Sequence, residues 1–81
     1  MKIEIITTKN CGPCIELKSI MDDLRIKYRY YDVDDIPGYK GTLNYRKYKG
    51  FPHLIIDGEV RFYGKAYKNV MVKKFKQWGV I

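Results

Sequence analysis

The sequence predicts an α/β domain: a mixed four-stranded sheet flanked by three helices, in the order β-α-β-α-β-β-α. Three observations lead there. An apolar run, Ile3 to Ile6, passes through two cysteines, Cys11 and Cys14, into a stretch where apolar residues recur at helical spacing. The apolar segment His53-Leu54-Ile55-Ile56 ends at Asp57-Gly58, a strong two-residue hairpin signal, and a second strand pattern follows it. A further helical pattern, rich in lysine, comes after that hairpin.

Each element has its own warrant. Met1 to Thr7 reads as a strand, because Ile3 and Ile5 alternate with Lys2 and Glu4 before Ile6 joins them. Thr8 to Asn10 is the turn into a helix, with Asn10 as its expected N-cap. Over residues 11–26, Cys14, Leu17, Met21 and Leu24 share one helical face with Ile20 beside them, while Glu16, Lys18, Asp22, Asp23 and Arg25 take the wet side. Tyr28 to Asp34 is a second strand by its tyrosine and valine content, and Asp34-Asp35-Ile36-Pro37-Gly38 ends it as a turn. A short helix is expected over 42–49, with Leu43, Tyr45 and Tyr48 as its apolar edge and Gly50 just past its end. The third strand is His53-Leu54-Ile55-Ile56, the return strand runs from Glu59 to Tyr63, and Gly64 ends it. The last helix covers 66–77, with Tyr67, Val70, Met71, Phe75 and Trp78 facing inward. A helix links the first two strands, so they should lie parallel with a right-handed crossover; the last two form an antiparallel hairpin.

The 81 residues are enough for one domain, 1–81, and a chain this short buries only about 60% of its unfolded surface. A disulfide between Cys11 and Cys14 would close too small a loop to restrain the unfolded chain much, which argues for a working bond and against a staple. Residues at i and i+3 share a helix face, so the two sulfurs can either close a disulfide or both carry protons. At the helix start, unpaired N–H groups and the positive end of the dipole favour a thiolate on Cys11, the nucleophile. Cys14, one turn inside, is expected to be less exposed and to resolve the mixed disulfide that Cys11 forms. Pro13 suits a first turn, where its missing N–H costs nothing, and Gly12 lets another chain approach. A zinc site wants four ligands, whereas the chain offers two cysteines and the single histidine His53, so no metal is expected.

Glu4 interrupts the first apolar run, which is too short for a secretion signal, and no stretch is long enough to span a membrane. The cytoplasm is the expected compartment, where a CxxC pair cycles between its two states. The 16 basic and 9 acidic residues leave a net charge of +7, which favours acidic partner surfaces or is a solvated lysine-rich face. The eight tyrosines, with lysines around 39–49 and 61–74, raise base stacking as a reading, but the same spacings serve a small core, so nucleic acid is not the expected partner.

The element order, together with Cys11-Gly12-Pro13-Cys14 after the first strand, resembles the thioredoxin/glutaredoxin superfamily over nearly the whole chain, and so implies a thioredoxin-like fold. Phe51-Pro52 stands where that superfamily places a cis-proline facing the dithiol. The resemblance therefore implies a cis Phe51–Pro52 bond and a Phe51 backbone that pairs with the substrate's chain. The tetrapeptide is of thioredoxin type, while the short length looks like a glutaredoxin. Glutaredoxins hold glutathione with a lysine three residues before the first cysteine and with Gly-Gly and an aspartate after the last strand. Here Thr8 takes the first position with Lys9 displaced by one, Gly64 matches the first glycine, Lys65 replaces the second, and Ala66-Tyr67-Lys68 holds no aspartate. Thioredoxins keep a buried aspartate six residues before the first cysteine and a tryptophan just before it. Here those places hold Ile5 and Asn10, and Glu4 points to the other face by alternation. Water or a lysine would then serve as the base for Cys14.

The resemblance implies a dithiol–disulfide oxidoreductase that reduces disulfide-containing proteins or small molecules through a reversible Cys11–Cys14 disulfide. Its expected substrate-binding residues are Gly12, Pro13, Phe51, Pro52 and Gly64, with Lys9 and His53 as candidates for tuning the thiolate and His53 otherwise a partly exposed strand residue. Phe51 is expected to join Ile36 or Tyr63 in an apolar docking patch. A monomer with no bound cofactor is expected, with electrons from an NADPH-linked, thioredoxin-reductase-like flavoprotein or from glutathione. Three alternatives stay open: a glutathione-dependent glutaredoxin, including service as electron donor to ribonucleotide reductase; a non-redox binding module that docks partners through its basic face; and a metal- or cluster-bridged dimer through Cys11.

Overall fold

The computed structural model describes residues 1–81. Its elements are β1 (Ile3–Thr7), α1 (Gly12–Asp23), β2 (Arg29–Asp32), 3-10 turns at Val33–Asp35 and Tyr39–Gly41, α2 (Leu43–Lys47), β3 (His53–Ile56), β4 (Glu59–Tyr63) and α3 (Lys68–Gln77). The sheet order is β2-β1-β3-β4. β1 runs parallel to β2 and antiparallel to β3, and β3 and β4 form the hairpin. The hairpin turn places Asp57 at φ 51° and Gly58 at φ 87°, the positive angles a tight turn requires.

Strand alternation divides the core into two. Ile3 and Ile5 of β1, with Leu54 and Ile56 of β3, meet Leu17, Ile20 and Met21 of α1 and Met71 and Phe75 of α3 on one face. Ile6 and Ile55 point the other way and pack with Val33 and Tyr39. That second face is covered by the 33–51 segment, whose α2 buries no residue of its own. Each fully buried side chain of this size stabilises the fold by about 1.5–3 kcal/mol relative to exposure.

Several boundaries differ from the sequence reading, each for a local reason. The N-cap of α1 is Cys11, not Asn10: Cys11 Sγ accepts the Cys14 N–H at 3.1 Å, while Asn10 sits in the left-handed region at φ 55°. α1 stops at Asp23, short of 26, because Arg25 turns left-handed at φ 57°. The Ile26 N–H then bonds the Met21 carbonyl at 3.0 Å and the Arg25 N–H bonds the Asp22 carbonyl at 3.1 Å, which satisfies the helix end and drops Ile26 into the core. β2 ends at Asp32 and not Asp34, because the Asp32 carboxylate accepts the Asp34 N–H at 2.8 Å and starts a 3-10 turn. α2 is five residues, and Leu43 is exposed where an apolar edge was expected. α3 starts at Lys68, with only Met71 and Phe75 of the expected inner set buried; Tyr67 and Val70 are exposed, and Trp78 packs edge-on against Phe75.

His53 departs furthest from its expected setting. It is fully buried, not partly exposed. Its Nε2–H donates to the Tyr48 carbonyl at 2.8 Å, since a carbonyl can only accept. Nδ1 therefore lacks a proton in the neutral ring and accepts the Tyr39 O–H at 2.7 Å. These two bonds tie β3 to the irregular segment over it. Burial holds the imidazole pKa below its ordinary value, opposed by the hydrogen bond to the Tyr48 carbonyl, and burial pushes the Tyr39 phenol up, so both groups keep the protonation their bond requires.

Two outcomes follow from this packing. Phe75→Ala should lower stability by about 3–5 kcal/mol. Val70→Ala, at a position 38% exposed, should stay within about 0.5 kcal/mol. Urea denaturation of the two variants checks the ranking, and equal losses would contradict it. For His53 the pKa is lower folded than unfolded, so its contribution is fully present above the unfolded value of about 6.5 and is lost as pH falls toward the folded value. Stability should therefore decline on acidification from pH 7 to about 5.5, and His53→Gln, weaker overall, should lack that slope. Parallel pH series of denaturation midpoints test this.

Candidate active site

The site is built where three loops meet at one end of the sheet. β1 leads through residues 8–10 into Cys11, and Gly12 and Pro13 form the first turn of α1. Cys11 and Cys14 are joined in a disulfide, with their Cα atoms 5.3 Å apart. The two sulfurs differ in access. Cys11 is partly exposed, while Cys14 is 1% exposed among the buried residues beneath the helix. The Cys14 N–H points at Cys11 Sγ, so one of the unpaired donors of the helix start serves the outer sulfur.

The loop before β3 supplies the opposite wall. The Phe51–Pro52 peptide bond is cis. The Phe51 carbonyl oxygen lies 3.8 Å from Cys11 Sγ, although the residues are 40 apart in sequence. Pro52 is buried, and its carbonyl accepts the Gly64 N–H at 3.1 Å, which draws the end of β4 to the same place. Gly64 has φ 86°, a conformation that side chains rarely adopt.

Two hollows flank the disulfide. One, of about 300 Å³, is lined by Gly12, Pro13, Glu16 and Lys65. The other, of about 510 Å³, is lined by Tyr45, Arg46, Tyr48, Lys49, Gly50 and Phe51. Rings crowd the second. Phe51 stacks on His53 at 4.6 Å with the planes 16° apart, Tyr45 lies tilted against Phe51 at 6.2 Å, and Tyr48 packs on Tyr63 at 5.2 Å.

The structure thus brings Cys11, Gly12, Pro13, Cys14, Phe51, Pro52 and Gly64 to one end of the molecule. His53 lies behind Phe51 with both ring nitrogens bonded to tyrosines, so neither is free to meet a sulfur. Lys9 is exposed beside the site and makes no ion pair. Phe51 and Ile36 pack on the same small buried group, whereas Tyr63 reaches Tyr48 and not Phe51. Ile5 is fully buried in the larger core, and Glu4 lies on the other face, near Lys2 at 3.9 Å. Sequence reasoning missed Glu16, Arg46 and Lys49 as site-lining residues and the Tyr39–His53–Tyr48 bonds. The absence of any Asp or Glu between Asp35 and Asp57 was a readable signal for the cationic hollow; the tyrosine bonds left none.

Comparison with known proteins agrees with this geometry. The Glutaredoxin family model matches residues 3–61. The crystal structure of the thioredoxin-like protein BC3987 is similar, with 28% sequence identity, coverage of 94% of this chain and 97% of that chain, and a TM-score of 0.68. Its T8A mutant matches with 27% identity, coverage of 94% and 96%, and a TM-score of 0.68. No curated protein matches the chain. With a thioredoxin-like fold and a close cysteine pair suited to thiol–disulfide redox chemistry, the chain belongs to the glutaredoxin family.

Proposed function

We propose that the protein is a dithiol–disulfide oxidoreductase that reduces disulfides of proteins or small molecules, with Cys11 as nucleophile and Cys14 as resolving thiol. The observation that carries the reading is the unequal access of the two sulfurs: a substrate can reach Cys11, while Cys14 is buried one turn behind it. In the reduced protein the Cys14 N–H and the positive end of α1 would favour the Cys11 thiolate. That thiolate attacks one sulfur of the substrate disulfide, the substrate S–S bond breaks, and the leaving thiolate takes up a proton. The Cys14 thiol then loses its proton and attacks Cys11 Sγ. The mixed disulfide breaks, the second substrate thiolate leaves, and the protein holds the Cys11–Cys14 bond. The departing substrate thiolate takes up a second proton; the substrate gains two electrons and two protons, and the redoxin loses two electrons, the Cys14 proton and the proton that Cys11 released on forming its thiolate. The Phe51 carbonyl beside Cys11 would accept a backbone N–H of a bound substrate chain, next to Pro52 and Gly64.

For the return step we favour an NADPH-linked flavoprotein reductase as the electron donor. Lys65 stands where glutathione binding calls for a second glycine, and residues 66–68 carry no aspartate. The family match supports glutathione as the second reading. The cytoplasm is the proposed place of action, since a cycling pair needs a reducing pool; no helix is long and apolar enough to cross a membrane.

Cys14→Ser should accumulate a covalent adduct with a disulfide substrate, visible by mass spectrometry and released by reductant, while Cys11→Ser should fall to the uncatalysed background. Parent-level activity in Cys11→Ser would overturn the assignment of roles. Reduction of the oxidised protein should be fast with NADPH and a thioredoxin reductase and slow with glutathione; fast, saturable reduction by glutathione would replace the first reading of the reductant by the second.

A further inference from the structure

We propose that the hollow lined by Tyr45, Arg46, Tyr48, Lys49, Gly50 and Phe51 is a docking site for an acidic segment next to the disulfide of a protein substrate. The proposal rests on the dithiol reading of Cys11 and adds to it the chemistry of the partner. The hollow holds about 510 Å³, enough for one or two side chains. Phe51 is part of its lining, and the Phe51 carbonyl is 3.8 Å from Cys11 Sγ, so a chain whose disulfide meets Cys11 passes next to it.

The charge of the hollow is unbalanced. Arg46 and Lys49 are exposed and take part in none of the three ion pairs, which use Lys2, Lys40 and Lys68. Between Asp35 and Asp57 the chain carries Lys40, Arg46, Lys47 and Lys49 and not one carboxylate. Just before that stretch, Asp34 is held by Lys40 at 3.0 Å. Two free cations over an apolar floor attract a carboxylate and the hydrocarbon that carries it.

The floor is set before a partner arrives. The Tyr48 carbonyl is held by His53 Nε2, the Tyr48 ring lies against Tyr63, and Phe51 is stacked on His53. Prior ordering lowers the cost of binding. Nucleic acid is the competing occupant, since a base stacks on an open aromatic face; the Phe51 ring gives one face to His53, and the Tyr48 ring lies tilted at 55° against Tyr63.

The test uses two disulfide-bridged peptides of one sequence, differing only in two glutamates or two glutamines beside the disulfide. The readout is the ratio of their kcat/KM values on the same protein, so a general loss of activity cancels. The parent should prefer the acidic peptide by about tenfold at low salt, in the range of electrostatic steering, and the ratio should shrink as salt rises. Arg46→Gln with Lys49→Gln should bring the ratio close to one. Lys73→Gln with Lys76→Gln, which removes the same charge from exposed positions on α3, should leave it unchanged. Equal rates for the two peptides on the parent, or an equal fall in both double variants, overturns the docking site while the redox reading stands. Failure of the parent to reduce either peptide overturns the redox reading itself. A single-stranded oligonucleotide that displaces the acidic peptide at lower concentration than a free peptide of equal charge overturns the proposal in favour of nucleic acid.

Discussion

The antiparallel pairing of β1 with β3 places Ile5 opposite Leu54 and Ile6 opposite His53. In an antiparallel pair the end of one strand lies beside the start of the other. The chain that leaves β1 for Cys11 and the chain that enters β3 through Pro52 therefore emerge together. The 3.8 Å approach of the Phe51 carbonyl to Cys11 Sγ is a consequence of that register. A slip of one residue would turn every side chain of β1 to the opposite face and put Ile5 on the side now held by Ile6. The register that assembles the site is thus the one that fills both cores.

The two faces of the sheet are held by different means. α1 and α3 bury Leu17, Met21, Met71 and Phe75 on the first, an ordinary apolar contact between helices and sheet. The second face has a cluster of only four buried hydrophobic residues, with His53 buried beside them and a short α2 that buries no residue over it. Hydrogen bonds do more there. Tyr39 and Tyr48 grip the two nitrogens of His53, and no buried side-chain polar atom is left without a partner. A buried polar group costs stability only when unpaired, so the arrangement ties the loop without a large apolar area. It also sets Phe51 against a rigid ring on its inner side, one residue before the cis-proline.

The parts of the fold legible in the sequence are those governed by short-range pattern. β1, β3, the Asp57-Gly58 turn and the dithiol helix each announce themselves through alternation, turn chemistry or spacing within a few residues. The less legible parts depend on partners far along the chain. Nothing near Arg25 marks a left-handed residue; α1 stops there because Ile26 has a place in the core to reach. Val70 and Tyr67 fit a helical stripe as well as Met71 does, but in the fold they stay exposed while Met71 and Phe75 are buried. His53 reads as an ordinary strand residue until residues 5 and 14 positions earlier close on it. In the site, the cysteines and Pro52 stand out by their own chemistry, whereas Glu16, Arg46 and Lys49 are surface charges until folding sets them beside the disulfide.

The two sides of the dithiol differ in what they offer. On the Gly64 side, Lys65 and Glu16 present one charge of each sign to a small hollow. On the Phe51 side, both charges are positive and the hollow is larger and aromatic. Backbone donors hold a ligand in one geometry, whereas long cationic side chains accept a range of carboxylate positions at the expense of salt sensitivity. On the proposed reading, Arg46 and Lys49 would admit a range of acidic protein partners, while the Phe51 backbone keeps the bound chain beside Cys11 in one geometry. The net charge of +7 acts in the same direction at long range, drawing acidic surfaces toward the molecule before any contact forms. On the same proposed reading, the charge-rich hollow would decide which of those encounters bring a disulfide to Cys11.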